Sequence, residues 1–174
     1  MELVTRYQRN HDEYEDDKAG ALSSSWAEGE SRRSYRAMWY DDIGRVTHVT
    51  DYGTNDGTNL TRPGTPPEPD TSDDRITVKY EYDGYGRTDE VTDNKGHVTK
   101  YVYDSQGRRT HVIENYDEND FAETPDYDDP NDRDPDSSRI TKYGYNDVGQ
   151  LTTLTAIDPD HNGDTDDDQE TEYV

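Results

Sequence analysis

The chain has 174 residues, a formal net charge of −24 at pH 7 and 26% hydrophobic residues. This acidity disfavours nucleic-acid phosphates and anionic membranes as partners, and no apolar run is long enough to span a bilayer. The lack of cysteine excludes a disulfide framework and thiol chemistry. Although such a composition is typical of disordered chains, the 15 tyrosines predict ordered β segments, because Tyr, Val, Ile and Thr favour pleated, half-buried surfaces.

Residues 1–34 form either a degenerate repeat or a loop, and the sequence does not separate the two. Thr5-Arg-Tyr7 matches Thr99-Lys-Tyr101 of a later repeat, but no Asp-x-x-Gly follows it. The N-terminus also lacks the apolar core of a signal peptide. We therefore expect either a protein that is not exported or an interior piece of a longer chain.

From residue 35 onward, two adjacent copies of Tyr-x-Tyr-Asp-x-x-Gly-Arg lie at Tyr80–Arg87 and Tyr101–Arg108, and two further copies align with them around Gly44 and Gly149, giving four aligned copies. Before each turn, apolar and polar residues alternate as in a strand with one buried face. Asp-x-x-Gly suits a type I turn followed by a glycine with positive φ. These features predict β-hairpins over residues 35–53, 75–96, 97–116 and 138–157.

Stacked side by side, such hairpins would form a curved, open antiparallel sheet, so the predicted fold class is all-β. The repeat arginines are expected either to lie over tyrosine rings or to pair with carboxylates. Tyrosines at a period of two are expected to pack as core rather than to bind sugars. The positions assigned a structural role are Tyr40, Asp41, Gly44, Arg45, Tyr80, Tyr82, Asp83, Gly86, Arg87, Tyr101, Tyr103, Asp104, Gly107, Arg108, Tyr143, Tyr145 and Gly149.

Three acidic inserts separate the hairpins, at residues 54–74, 117–138 and 158–172, and a truncated next repeat follows at 173–174. Their dense Pro, Asp and Gly cannot sustain the interior of a strand or helix, so we predict loops. Residues 35–174 would thus form one repeat region with long acidic loops.

The third insert contains the sharpest candidate for a metal site. Asp158, Asp160, Asn162 and Asp164 alternate like the first ligands of an EF-hand calcium loop, with Gly163 at the sixth position. The twelfth position is Gln169 instead of the bidentate Glu, and no helical pattern flanks the loop. A solvated acidic loop is the favoured interpretation, with weak Ca²⁺ binding as the alternative.

No pattern predicts catalysis. His48 and His111 occupy equivalent repeat positions, so a strand-face role explains both. The serines lack a nucleophile-elbow context, and carboxylates are so abundant that a pair at acid–base distance carries no information. We expect a protein without enzymatic activity and without a cofactor.

Tyr80-Glu-Tyr82-Asp83-Gly-Tyr-Gly86-Arg87 and its three partners resemble the tyrosine–aspartate (YD) repeats of the Rhs (rearrangement hotspot) family. That family includes polymorphic toxins, the C components of insecticidal toxin complexes, wall-associated proteins and teneurins. The resemblance covers residues 35–53, 75–116 and 138–157 and implies hairpins that spiral into a hollow shell. The fourth copy departs from the pattern at Asn146 and Gln150. The family's self-cleaving core segment and toxin domain are not found, so only the role of shell wall carries over.

The resemblance thus implies a structural segment that helps to enclose or present another domain of a longer, secreted or surface-displayed protein. Its expected partners are other repeats of the same chain and an enclosed or adjacent C-terminal domain. The alternatives are a surface module that binds carbohydrate or a receptor, and an extracellular repeat ordered by calcium. Neither nucleic-acid binding nor membrane insertion is expected.

Overall fold

The computed structural model describes residues 2–9, 31–55, 58–118, 138–157 and 168–173. These residues form strands, turns and irregular segments, without an α-helix and hence without a helix that could cross a membrane. The strands are β1 Glu2–Arg9, β2 Ser31–Tyr40, β3 Val46–Gly53, β4 Ile76–Tyr82, β5 Thr88–Thr92, β6 Val98–Tyr103, β7 Arg109–Glu114, β8 Arg139–Tyr145, β9 Leu151–Ile157 and β10 Gln169–Glu172.

The ten strands form one sheet in which the spatial order follows the chain order from β1 to β10. This strand order is that of an open sheet, and the registered pairs are antiparallel. The all-β, antiparallel fold class expected from the repeats is therefore confirmed. The chain divides into two compact units, Met1–Lys79 (unit 1) and Tyr80–Val174 (unit 2).

Two strands lie where no hairpin was predicted. β1 occupies Glu2–Arg9 and pairs along its whole length with β2, so the start of residues 1–34 is strand. β10 occupies Gln169–Glu172, inside the segment 158–172 that we predicted as a loop. That prediction is wrong for these four residues. An edge strand needs only backbone pairing on one side, so four polar residues suffice.

In unit 1 the core lies on one face of β2, β3 and β4. Tyr35, Ala37 and Trp39 alternate along β2 and are buried. The register places Thr50 between Ala37 and Thr77, and the hydroxyls of Thr50 and Thr77 lie 3.1 Å apart. The hydrogen bond between these two hydroxyls allows polar side chains at the centre of the core.

The segment of residues 58–75 covers this face. The Arg62 guanidinium lies 4.4 Å from the centroid of the Trp39 ring, and its Nη2 donates to the Met38 carbonyl at 2.9 Å. At the other end of β2, the Tyr35 hydroxyl donates to Asn59 Oδ1 at 3.4 Å. The segment has no regular secondary structure, as predicted for an insert, but its arginine belongs to the packing of unit 1.

Among the described residues of unit 2, the two most buried side chains are isoleucines. Ile113 of β7 and Ile140 of β8 are partners in the register and are 0% and 2% exposed. The six repeat tyrosines of this unit are only half-buried; they are Tyr80, Tyr82, Tyr101, Tyr103, Tyr143 and Tyr145. The repeat tyrosines were expected to pack as core; they are half-buried, and the two most buried described positions of this unit are the aliphatic residues on β7 and β8.

Candidate functional site

The turn at Asp83–Arg87 shows why the repeat needs its aspartate and glycine. The Asp83 N–H donates to the Arg87 carbonyl at 2.9 Å, and the Gly86 N–H donates to the Asp83 carbonyl at 3.0 Å. The Asp83 carboxylate accepts from the N–H groups of Tyr85 and Arg87, both at 2.9 Å. Gly86 has φ +83°, a conformation that costs glycine nothing and other residues about 1 kcal/mol or more.

The same backbone bonds close the turns that begin at Asp41, Asp104 and Asn146. In each, the first residue's side-chain oxygen accepts N–H groups two and four residues on. The turn glycines at these three positions also have positive φ: Gly44, Gly107 and Gly149. The turn is thus defined by local hydrogen bonding, which is why its sequence signature is clear.

The arginine after each turn locks the aspartate in place. Nε donates to the second carboxylate oxygen at 2.6 Å in all three Asp–Arg turns: Asp41–Arg45, Asp83–Arg87 and Asp104–Arg108. Desolvation raises the pKa of the Asp83 carboxyl, but the hydrogen bonds from the backbone and side chain of Arg87 outweigh it and hold the pKa below the ordinary value. The same balance lowers the pKa of Asp41 and of Asp104.

In unit 2 the arginine also reaches the following hairpin. Arg87 Cζ lies 4.4 Å from the centroid of the Tyr103 ring, and Nη1 donates to the Asp104 carbonyl at 3.3 Å. In return, the Tyr103 hydroxyl donates to the Thr88 carbonyl at 2.8 Å. We call this set of three contacts between consecutive hairpins the clasp.

A second clasp joins β6–β7 to β8–β9 with the same atoms. Arg108 Cζ lies 4.8 Å from the Tyr145 ring, and its Nη1 donates to the Asn146 carbonyl at 3.4 Å. The Tyr145 hydroxyl donates to the Arg109 carbonyl at 2.8 Å. The bond from the arginine spans 17 residues in the first clasp and 38 in the second, so the clasp does not depend on the length of the intervening chain.

The clasp explains why the tyrosine, the turn and the arginine of Tyr-x-Tyr-Asp-x-x-Gly-Arg occur together at a fixed spacing. Its second tyrosine receives the arginine of the preceding hairpin, and its own arginine goes to the next. We expected the arginines either to stack on tyrosines or to pair with carboxylates, and Arg87 and Arg108 do both. In the fourth turn Asn146 Nδ2 donates to Gln150 Oε1 at 3.0 Å. A neutral hydrogen bond thus replaces the Asp–Arg ion pair of the other turns.

A fifth turn of the same kind connects β5 to β6 and was missed in the sequence. The Asp93 N–H donates to the His97 carbonyl at 2.9 Å, the Gly96 N–H donates to the Asp93 carbonyl at 3.0 Å, and His97 Nδ1 lies 3.1 Å from Asp93 Oδ2. Asp93-Asn-Lys-Gly96-His97 contains the Asp-x-x-Gly signal, but its fifth residue is histidine, whereas the repeat pattern has arginine there. Like the β5–β6 turn, the connections from β3 to β4, from β7 to β8 and from β9 to β10 each follow a hairpin and lead to the next strand. All three are longer than the β5–β6 turn.

Lys100 is the most perturbed ionisable group in the described part of the chain. Its Nζ lies 2.8 Å from Glu90 Oε1 and 3.3 Å from Asp89 Oδ1, and 5.0 Å from the centroid of the Tyr116 ring. Desolvation lowers the pKa of Lys100, but the hydrogen bond and charge of Glu90, followed by Asp89, raise it above the ordinary value. A lysine held so firmly in its charged form suits an ion pair between β5 and β6 better than a catalytic base.

The other candidates divide into two groups. His48 and His111 are buried at equivalent strand positions, where the register sets them beside Lys79 and Lys142. The calcium candidates lie outside the described residues, so the solvated loop and its alternative, weak Ca²⁺ binding, both stay predictions; these candidates are Asp158, Asp160, Asn162 and Asp164. Among the described residues, no group of three or more histidines, aspartates or glutamates is placed to hold a metal ion.

No family model matches this chain, and no curated protein matches it. Among solved structures, the chain is similar to one chain in the crystal structure of the TcdB2–TccC3–Cdc42 complex, with 17% identity and a TM-score of 0.37, over 71% of this chain. It is also similar to one in the crystal structure of TcdB2–TccC3, with 18% identity and a TM-score of 0.37, over 72% of this chain. The matched region spans about 6% of the length of those chains.

Proposed function

We propose that this chain is a non-enzymatic structural segment of a YD-repeat protein, a stretch of hairpin wall that encloses or presents another domain. The observation that carries the proposal is the clasp, which recurs at both junctions between consecutive hairpins of unit 2. Its function in the wall is to tie each hairpin to the next one.

Two further features support a wall. The clasp uses the turn and strand-end residues of the repeat, so hairpins can be added in series without a new kind of contact. Connections at the other end of the strands vary from the five-residue turn at Asp93–His97 to long acidic segments. A wall tolerates such variation, because loop-closure entropy rises slowly with length. By analogy with YD-repeat proteins, the wall would belong to a secreted or surface-displayed protein, and its partner would be the polypeptide that the wall holds.

Hydrogen exchange tests whether hairpins are joined as a wall requires. Arg87→Ala should speed exchange at the Asp104 and Gly107 amides of the next hairpin, because the clasp that holds that turn is lost. Arg139→Ala is the control, since Arg139 is exposed on β8. If the Arg87 variant changes exchange only in its own turn, the clasp does not hold the next hairpin and the proposal loses the observation that carries it.

A glycan array separates the wall from a sugar-binding module. The proposal expects no retention of the 174-residue protein. Retention that Tyr85→Ala abolishes would favour the sugar-binding alternative, because Tyr85 is 88% exposed at the tip of the β4–β5 hairpin.

A further inference from the structure

The covered face of unit 1 contains four buried donors that have no hydrogen-bond partner among the described residues. They are the Nε atoms of Arg62 and Arg75, the indole N–H of Trp39 and the hydroxyl of Tyr52; the Trp39 side chain as a whole is only 5% exposed. Buried donors are nearly always hydrogen-bonded, because an unpaired one keeps the full cost of its lost hydration. A group of such donors on one face is therefore typical of a site for an acceptor.

Tyr52 and Arg75 occupy neighbouring positions on this face. The register of β3 and β4 ends one residue before them, so they form the next pair along the two strands. Residues two apart in an extended chain share a face, which places Tyr52 with Thr50 and Arg75 with Thr77, the two buried threonines. Both side chains therefore belong to the covered face.

Arg62 reaches the same face from the covering segment of residues 58–75. Its guanidinium stacks on the Trp39 ring and donates to the Met38 carbonyl through Nη2, which leaves Nε for another acceptor. Burial raises the pKa of the Tyr52 hydroxyl, and the charges of Arg75 and Arg62 oppose this rise. Both guanidiniums are thus close enough to act on that hydroxyl.

Positive charge on this face is only partly neutralised. Arg75 forms an ion pair with Asp70 through Nη2. Arg62 has a neutral carbonyl and an aromatic ring as its partners, and the described residues provide no carboxylate for it. A partly buried charge without a counter-ion is costly. An anion beside the two arginines would therefore be stabilised locally, even in a chain with a net charge of −24.

We propose that unit 1 binds one small oxyanion, such as phosphate or sulfate, between Arg62, Arg75 and the Tyr52 hydroxyl. Each guanidinium would donate through Nε, and the hydroxyl would donate to a further oxygen. A guanidinium and an oxyanion match each other in geometry and charge. The donor atoms are buried, so the site suits a free ion better than an anionic group on a large ligand. The ion would fasten the segment of residues 58–75 to β3.

Isothermal titration calorimetry of the 174-residue protein with sodium phosphate and with sodium sulfate tests the proposal. Sodium chloride keeps the ionic strength constant, so that screening does not change. Both oxyanions should bind saturably, with one ion per chain. Arg75→Gln and Tyr52→Phe should each weaken binding several-fold, because each removes one donor. Arg139→Gln and Tyr116→Phe are the matched controls in unit 2 and should bind as the wild type does.

Thermal unfolding of Tyr52→Phe distinguishes a bound oxyanion from bound water, because this change keeps the ring and removes only the hydroxyl. In chloride the variant should melt at the wild-type temperature or above it, since the hydroxyl has no protein partner to lose. In phosphate the wild type should gain more than the variant, and the gain should follow the binding curve. Stabilisation by ions excluded from the surface does not saturate and would act equally on both proteins.

Calorimetry without saturable binding of either oxyanion would overturn the proposal, and so would binding that Arg75→Gln and Tyr52→Phe leave unchanged. The same difference in melting temperature between wild type and Tyr52→Phe in chloride and in phosphate would also overturn it, because water would then satisfy these donors. None of these results affects the proposed function, since the clasp lies in unit 2 and uses none of these residues.

Discussion

The arginine after the turn combines three interactions that a lysine cannot reproduce together. In Arg87 one nitrogen binds the turn carboxylate, another binds the next turn's carbonyl, and the planar group stacks on Tyr103. A guanidinium has a fixed fork of donors and a flat face, whereas an ammonium is a compact point charge. The residue type is therefore set by geometry as well as by charge.

Arg87→Lys should lower the free energy of unfolding by about 1–2 kcal/mol, the sum expected for a lost stacking contact and a weakened charged hydrogen bond. Urea unfolding followed by circular dichroism measures it. Arg139→Lys is the matched control and should change stability by less than about 0.5 kcal/mol. Equal effects at the two sites would show that the clasp adds nothing to stability.

The turn aspartates should make the protein sensitive to acid. Their folded-state pKa values lie below the ordinary value of 3.8, so their contribution is complete above the unfolded pKa and is lost as the pH falls through the folded pKa. Unfolding free energy measured from pH 6 down to pH 2 should therefore drop below about pH 4.

The fourth turn supplies a neutral version of the same structure for the control. Asp104→Asn with Arg108→Gln copies the Asn146–Gln150 pair, and this double variant should show a shallower loss of stability between pH 4 and pH 2. An unchanged pH profile would mean that the Asp104 carboxylate does not contribute to acid sensitivity.

Among the elements, the turn tolerates little change at its glycine. Gly86 has φ +83°, while Gly84 of the same turn has no positive φ and open space at its Cβ position. Gly86→Ala should therefore destabilise the protein by about 1 kcal/mol or more. Gly84→Ala should be neutral or stabilise by up to about 1 kcal/mol, because it restricts only the unfolded chain. Thermal unfolding compares the two, and a larger loss at Gly84 would contradict the assigned turn.

The segment of residues 58–75, most of the first insert, packs on the core of unit 1 through Arg62. Arg62→Ala should cost about 1–2 kcal/mol, because the stack on Trp39 and the bond to the Met38 carbonyl are both lost. Tryptophan fluorescence should then shift to the red as Trp39 gains exposure. Arg36→Ala, at an exposed position on β2, should change neither measurement. An unshifted spectrum in the Arg62 variant would show that the segment does not cover Trp39.

At the scale of the whole molecule, the parts that sequence predicts are those fixed by local chemistry. Asp83, Gly86 and Arg87 determine their turn through bonds within five residues, so the strands on either side could be predicted. The buried residues could not be predicted in this way, because Thr50 and Thr77 are polar. They are buried and hydrogen-bonded to each other, although 27 residues separate them in the sequence. The packing of Arg62 on Trp39 was missed for the same reason, since nothing local links an insert to a strand.

The clasp itself was half predictable. The arginine, the tyrosine and their spacing are visible in the sequence, but the choice of the following hairpin as partner depends on the strand order. In Asp93–His97 the turn was overlooked because its fifth residue is not arginine, although the Asp-x-x-Gly signal was present. A search on the turn alone would have found it.

A double-mutant cycle between Arg87 and Tyr103 tests the central claim that one hairpin is tied to the next. Arg87→Met and Tyr103→Leu, alone and combined, should give a coupling energy of about 0.5–1.5 kcal/mol in urea unfolding. Tyr145→Leu replaces Tyr103→Leu in the control cycle with Arg87, because Tyr145 receives Arg108 instead, and it should be additive within about 0.5 kcal/mol. Additive effects in the Arg87–Tyr103 cycle, equal to those of the control, would contradict the clasp.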